Sequence, residues 1–266
     1  METKRRQALL LSASALVGAC TAGRFGSSVA ADGVGPNRGL LEKAFRGKQT
    51  CDNSGVPLSD LANRISMPDD FSGDVCQMEK DSHEGPYFTC APAPGKAIAE
   101  GQTGQPLTVA MRLLDSDCKP ISGGVVDIWA CNATGHYSGY SSDPDEPPPM
   151  VKAIIFGHIK PDENPRFCRG ALKTDEDGIA EFDTVYPGFY YGVPIHIHMK
   201  AHVNGKNLLT TQANLPEAMN ERVMQTAPYS DPRPITRSTK STGFPLMRVQ
   251  ERGDRLLATL DLMVPA

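Results

Sequence analysis

The sequence predicts an all-β sandwich or barrel with short N-terminal helices and long loops. Apolar, β-prone runs recur along the chain, with turn residues between them. Glycine (25) and proline (22) are spread through the sequence, which suits many short strands better than long helices. Residues 194–203 alternate cleanly, with His196, His198, Lys200 and His202 on one side and Ile195, Ile197, Met199 and Ala201 on the other.

Taken in order, residues 39–68 hold two weak helical patterns, near Leu40–Phe45 and Leu58–Ile65. Strands are expected over Pro106–Leu114 and over Gly124–Asn132, the latter entered by a glycine pair. Gly178–Asp183 follows the turn Asp175-Glu176-Asp177-Gly178. Pro194–Val203 is the alternating strand, and Arg255–Val264 closes the set. Leu215–Gln225 is the strongest helix, with Pro216 in its first turn. Residues 141–170 and 226–250 read as long, proline-rich loops, which in a compact domain are functional or disordered. Strands this short, separated by turns, argue for a layered β architecture.

The 266 residues suit one large β domain with an N-terminal arm, or two small domains, and are enough to bury a core without disulfides. A net charge of −4 with no basic stripe argues against nucleic-acid binding. Met1–Arg6 is cationic, Ala8–Ala19 is uncharged and apolar, and Cys20 follows. That order reads as a secretory signal peptide over residues 1–19, too short to span a membrane. Arg5-Arg6 hints at the twin-arginine route. Val17-Gly18-Ala19-Cys20 resembles a lipobox, so Cys20 is a candidate for lipidation and membrane attachment, with ordinary cleavage and secretion as the other outcome. Export to the periplasm, the cell envelope or the medium follows from either. Residues 20–38 read as a flexible tether, 39–75 as a helical arm and 76–266 as the β domain. Beyond Cys20, six cysteines (Cys51, Cys76, Cys90, Cys118, Cys131 and Cys168) allow up to three bridges. One or two bridges plus buried thiols is the plain expectation. No CxxC pair suggests a zinc ribbon.

His196-Ile197-His198 places two imidazoles on one strand face, roughly 7 Å apart along the chain, where they can converge on one ion. His202 lies roughly 13 Å beyond His198, too far to join them. An imidazole pair alone suits zinc, copper, iron or nickel, and in isolation is more often a polar strand face. Tyr190 stands six residues upstream behind a Pro-Gly turn, and Tyr137 follows the Gly124–Asn132 strand. A phenol with a pKa near 10 ligates only where a strong Lewis acid stabilises the phenolate. Two tyrosines with two histidines therefore point to Fe(III). His83, His136 and His158 read as surface or loop residues, and Trp129 and Phe189 as core or wall aromatics.

The order of motifs from about Cys76 to Val264 resembles the intradiol ring-cleavage dioxygenases, in particular their exported single-subunit branch. The resemblance runs through Glu84-Gly85-Pro86-Tyr87-Phe88, Gly124-Val125-Val126-Asp127-Ile128-Trp129 and Gly135-His136-Tyr137. It continues through Arg169-Gly170, Thr174-Asp175-Glu176-Asp177-Gly178, Tyr186-Pro187-Gly188-Phe189-Tyr190, His196-Ile197-His198 and Leu209-Thr210-Thr211-Gln212. It implies a transthyretin-like (prealbumin-like) β-sandwich with non-haem Fe(III) at one end of the strands. Tyr137 and His196 would be equatorial ligands, Tyr190 and His198 axial, with hydroxide in the fifth place. Gln212 would stand beside the substrate, with Tyr87 and Val193 in the pocket. The implied partners are a small aromatic diol and O₂, and the oligomeric state is left open, a homodimer included.

The implied reaction opens a catechol-type ring between its two hydroxylated carbons to a muconate-type diacid. Bound hydroxide and Tyr190 would each take a proton from the diol. Catalytic members usually carry an arginine three residues before the first histidine ligand, where this chain has Val193. Arg169, Arg166 and Lys200 are the cations that could replace it. The alternative reading is a transthyretin-like metal- or ligand-binding envelope module without turnover, favoured by Val193. A zinc hydrolase leaves Tyr137 and Tyr190 unexplained and lacks an HExxH arrangement.

Overall fold

The computed structural model describes residues 51–71, 78–91, 95–148 and 159–266. The signal peptide, Cys20, the tether, the Leu40–Phe45 pattern, Cys76 and His158 lie outside the described residues. Eight described strands form two four-stranded sheets. They are β1 (Pro106–Leu114), β2 (Val125–Trp129), β3 (Arg169–Lys173), β4 (Ile179–Val185), β5 (His196–Val203), β6 (Lys206–Asn214), β7 (Arg248–Arg252) and β8 (Arg255–Met263). One sheet runs β4-β1-β8-β7 and the other β3-β2-β5-β6. Only the β1–β8 pairing is parallel among these.

Strand alternation builds the core. Val109 and Met111 of β1, with Phe182 of β4, meet Val126, Ile128, Ile197 and Met199 of the other sheet in one apolar cluster. The mainly β expectation holds, and β1 starts and ends where its sequence pattern does. The strongest predicted helix is present as α1 (Glu217–Val223).

Three strands lie where the sequence reading had none. β3 has five residues and contains Gly170, β6 has no regular alternation, and β7 is a polar edge strand inside the segment read as loop. Their partners' backbone groups form them, since an edge strand needs only one ladder.

The helical arm is a correction. Among the described residues it holds only two single-turn 3-10 segments, Leu61–Asn63 and Pro68–Asp70. Pro57 and Ser59 instead hydrogen-bond Lys173 at the edge of β3, and Ser82 donates to the Thr210 carbonyl in β6 at 2.6 Å. The arm is held as extended chain because sheet edges satisfy its backbone. A disulfide ties Cys51 of the arm to Cys90 of the β domain. Cys118 is also disulfide-bonded, while Cys131 and Cys168 are buried thiols. Bridges plus buried thiols is the expected mixture.

Candidate metal centre

The site lies on the face of the β3-β2-β5-β6 sheet opposite the core. Ile197, Met199 and Ala201 point inward to the apolar cluster, so His196, His198, Lys200 and His202 take the outer face. Cross-strand register sets their neighbours. Trp129 is paired with His198 and Asp127 with Lys200; Arg169 is paired with Trp129, and Gln212 with His198. One rung therefore reads Arg169, Trp129, His198, Gln212. Glu84–Phe88 covers this face, so nearly every side chain on it is buried.

The Nε2 atoms of His196 and His198 are 3.0 Å apart. Metal–nitrogen bonds of about 2.1 Å meeting near a right angle leave two nitrogens about 3.0 Å apart, so this spacing fits two neighbouring ligands of one ion. The Pro194 carbonyl accepts from Nδ1 of His196 at 2.6 Å, which puts the proton on Nδ1 and leaves the Nε2 lone pair exposed to the site. The indole of Trp129 stacks on the His198 ring at 5.0 Å and 5°. Burial lowers the pKa of both imidazoles, that of His198 the more, and so favours the neutral, ligating form.

The tyrosines arrive on two loops that touch. After β2, Oδ1 of Asn132 accepts from the backbone N–H groups of Thr134 and His136, folding the chain sharply. At Gly135 (φ +94) an added Cβ would fall 2.2 Å from the Phe189 carbonyl oxygen, so only glycine permits this approach. Tyr137 and Tyr190, the neighbours of this contact, stand edge to face with ring centroids 5.2 Å apart. Tyr137 lies 6.3 Å from the His198 ring and Tyr190 6.0 Å from that of His196. The Tyr137 hydroxyl is buried without a partner among the described residues. Burial raises both phenol pKa values; Tyr190 adds to the rise at Tyr137, and Tyr87 to that at Tyr190. Two phenols with no base to take their protons fit a strongly acidic cation better than any hydrogen-bonded alternative. Among the described residues no group of three or more His, Cys, Asp or Glu could hold an ion. Tyr137, Tyr190, His196 and His198 are the residues that could hold ferric iron.

Glu84–Phe88 caps the site. Gly85 (φ +76) approaches so closely that an added Cβ would stand 3.1 Å from Cε1 of His198. Tyr87 stacks on Tyr137 at 4.8 Å and meets Tyr190 edge-on at 5.5 Å, so it is a buried wall of the cluster. Val193 packs half-buried against these aromatics. Gln212 is buried beside His198.

Of the cations considered for the place left by Val193, Arg166 is exposed and paired with Glu100 at 3.0 Å. Lys200 is buried, ion-paired with Glu84 and 3.4 Å from the Phe88 ring centre. Arg169 alone stands against a tyrosine of the set, with its guanidinium 5.9 Å from the Tyr137 ring. The Glu84–Lys200 pair and the Gly85 contact carry no mark in the sequence beyond the Glu84–Phe88 motif.

Comparison with known proteins identifies the family of the chain. A family model described as dioxygenase matches residues 84–230, more than half of the chain. Catechol 1,2-dioxygenase 1 of Acinetobacter lwoffii is 27% identical over 128 residues, 41% of this chain and 36% of that protein. The 6-chlorohydroxyquinol 1,2-dioxygenase of Cupriavidus pinatubonensis is 26% identical over 137 residues, 45% of this chain and 43% of that protein. The matched region thus spans less than half the length of either curated relative. An intradiol ring-cleavage dioxygenase from Tetranychus urticae, known in structure, superposes with a TM-score of 0.62 at 28% identity, covering 71% of this chain and 95% of that one. The chain belongs to the intradiol ring-cleavage dioxygenase family.

Proposed function

We propose that this protein is a non-haem Fe(III) dioxygenase that opens a catechol-type ring between its hydroxylated carbons with O₂, yielding a muconate-type diacid. The observation that carries it is the convergence of the His196 and His198 Nε2 atoms to 3.0 Å beside two buried tyrosines. Ferric iron, when bound, supplies the Lewis acidity that holds phenols as phenolates and withdraws charge from the diol. The residues do the rest. Tyr190, held as a phenolate, would accept a proton from a diol hydroxyl. Tyr87 and Val193 form the aromatic and aliphatic walls against which a flat ring can lie, and Gln212 offers a polar edge. The capped, buried face excludes water, which strengthens every charge interaction within it. The sandwich is read as transthyretin-like. We also propose export, on the cationic, apolar and small-residue order of residues 1–20, with Cys20 as the acylated residue.

The test is an absorption spectrum of the iron-loaded protein, followed by catechol under air. A visible tyrosinate-to-iron band that moves on adding catechol, with muconate then accumulating, is the expected result. A coloured protein that binds catechol and leaves it intact supports a binding module instead. A colourless iron-loaded protein overturns the ferric reading.

A further inference from the structure

Arg169 is among the largest fully buried side chains of the fold, yet part of its hydrogen-bonding capacity is unused. Its Nε donates to the Ser138 carbonyl at 3.0 Å and its Nη2 to the Tyr87 carbonyl at 2.7 Å. Ser138 follows Tyr137, and Tyr87 is stacked on it. The third nitrogen, Nη1, is buried with no partner among the described residues, as is the Tyr137 hydroxyl. The guanidinium faces two phenol rings, Tyr137 at 5.9 Å and Tyr140 at 5.6 Å. A buried arginine cannot shed its proton, so its charge is permanent and must be offset by its surroundings. Asp127 is the carboxylate that acts on it most closely, and Asp127 also answers to Lys200.

We propose that Arg169 is a positioning residue of the iron site, the fixed cation that offsets the Tyr137 phenolate and, through two carbonyls, holds Tyr137 and Tyr87 as one unit. This rests on the ferric reading above. Charge on the protein side of Tyr137 lowers the energy of the phenolate electrons, so it sets the energy of their transfer to iron. The position three residues before His196 is aliphatic here, and Arg169 supplies positive charge beside Tyr137. Its role differs from that of a cation touching the substrate, because it acts through Tyr137.

The test compares the visible bands of iron-loaded wild type, Arg169→Gln and Arg169→Lys, with the exposed Arg166→Met as control. Loss of a unit charge 5.9 Å from the ring should move the tyrosinate band to longer wavelength, on the order of tens of nanometres at an effective dielectric near ~20. Lysine keeps the charge but cannot fork between two carbonyls, so its band should move the same way by less. Arg166→Met should leave the band in place. The shift should persist in a Tyr190→Phe background and vanish in Tyr137→Phe. An unmoved band in whichever Arg169 variant folds overturns the proposal, even if that variant is less stable. A wild type without any visible band overturns the ferric reading, and this proposal with it.

Discussion

The Nε2 atoms of His196 and His198 face each other across 3.0 Å, each carried by the same face of one strand. Two neutral imidazoles at that distance share at most one hydrogen, whereas an ion between them uses both lone pairs. Substituting either by alanine should therefore reduce bound iron from one equivalent to near zero. The iron content of gel-filtered protein measures this. Retention of a full equivalent in both variants would move the site elsewhere.

Burial lowers the pKa of both imidazoles below the ordinary 6.5. In the metal-free protein the unfolded chain then binds more protons than the folded one just below pH 6.5. Their contribution to stability should be level above that pH and fall as the pH drops through it, by up to about 1.4 kcal/mol per pH unit for each histidine, against an opposite slope from buried Asp127, whose pKa is raised to about 7. Urea midpoints of the metal-free protein at pH 7.5 and 5.5 read the slope. It should shrink in His198→Ala.

Gly85 combines a left-handed backbone with contact on His198. Gly85→Ala adds a Cβ to a φ of +76 and pushes it against the imidazole. We expect a loss of about 1–2 kcal/mol in stability and weaker iron retention against a chelator. Gly205→Ala, also at positive φ but with open space around it, should match the first effect without the second.

Lys200 and Glu84 form a fully buried ion pair beneath the Phe88 ring. Lys200→Met leaves a buried carboxylate without its cation and should cost about 3–5 kcal/mol. The exposed Arg222–Glu251 pair, similar in distance, should cost less than about 1 kcal/mol when broken. Chemical denaturation of the two variants separates these values.

The Cys51–Cys90 bridge closes a segment of 39 residues around the sheet that bears the site. Chain entropy alone makes such a bridge worth about 4 kcal/mol. A Cys51→Ser, Cys90→Ser protein should unfold at lower denaturant by that amount. Its cap over Gly85–Phe88 should also exchange amide hydrogens faster than β1, which packs in the core.

Much of the molecule was legible in the chain itself. Alternation in His196–Val203 assigned its inward and outward residues because the strand period is two and one face must be apolar. The largely apolar, β-prone run of Pro106–Leu114 marked β1. The two tyrosines and two histidines singled out by their chemistry are residues that the fold brings together. What the chain did not disclose depends on partners distant in sequence. Extended arm residues stand where a helix was expected because the open edge of β3 satisfied the backbone groups of Pro57 and Ser59. The polar β7 became a strand because β8 offered a ladder. The choice among Arg166, Arg169 and Lys200 could not be made from spacing, since each is a cation on or near a strand. Tertiary structure decided it: Glu84 neutralises Lys200, solvent surrounds Arg166, and the register of β3 with β2 turns Arg169 toward Tyr137.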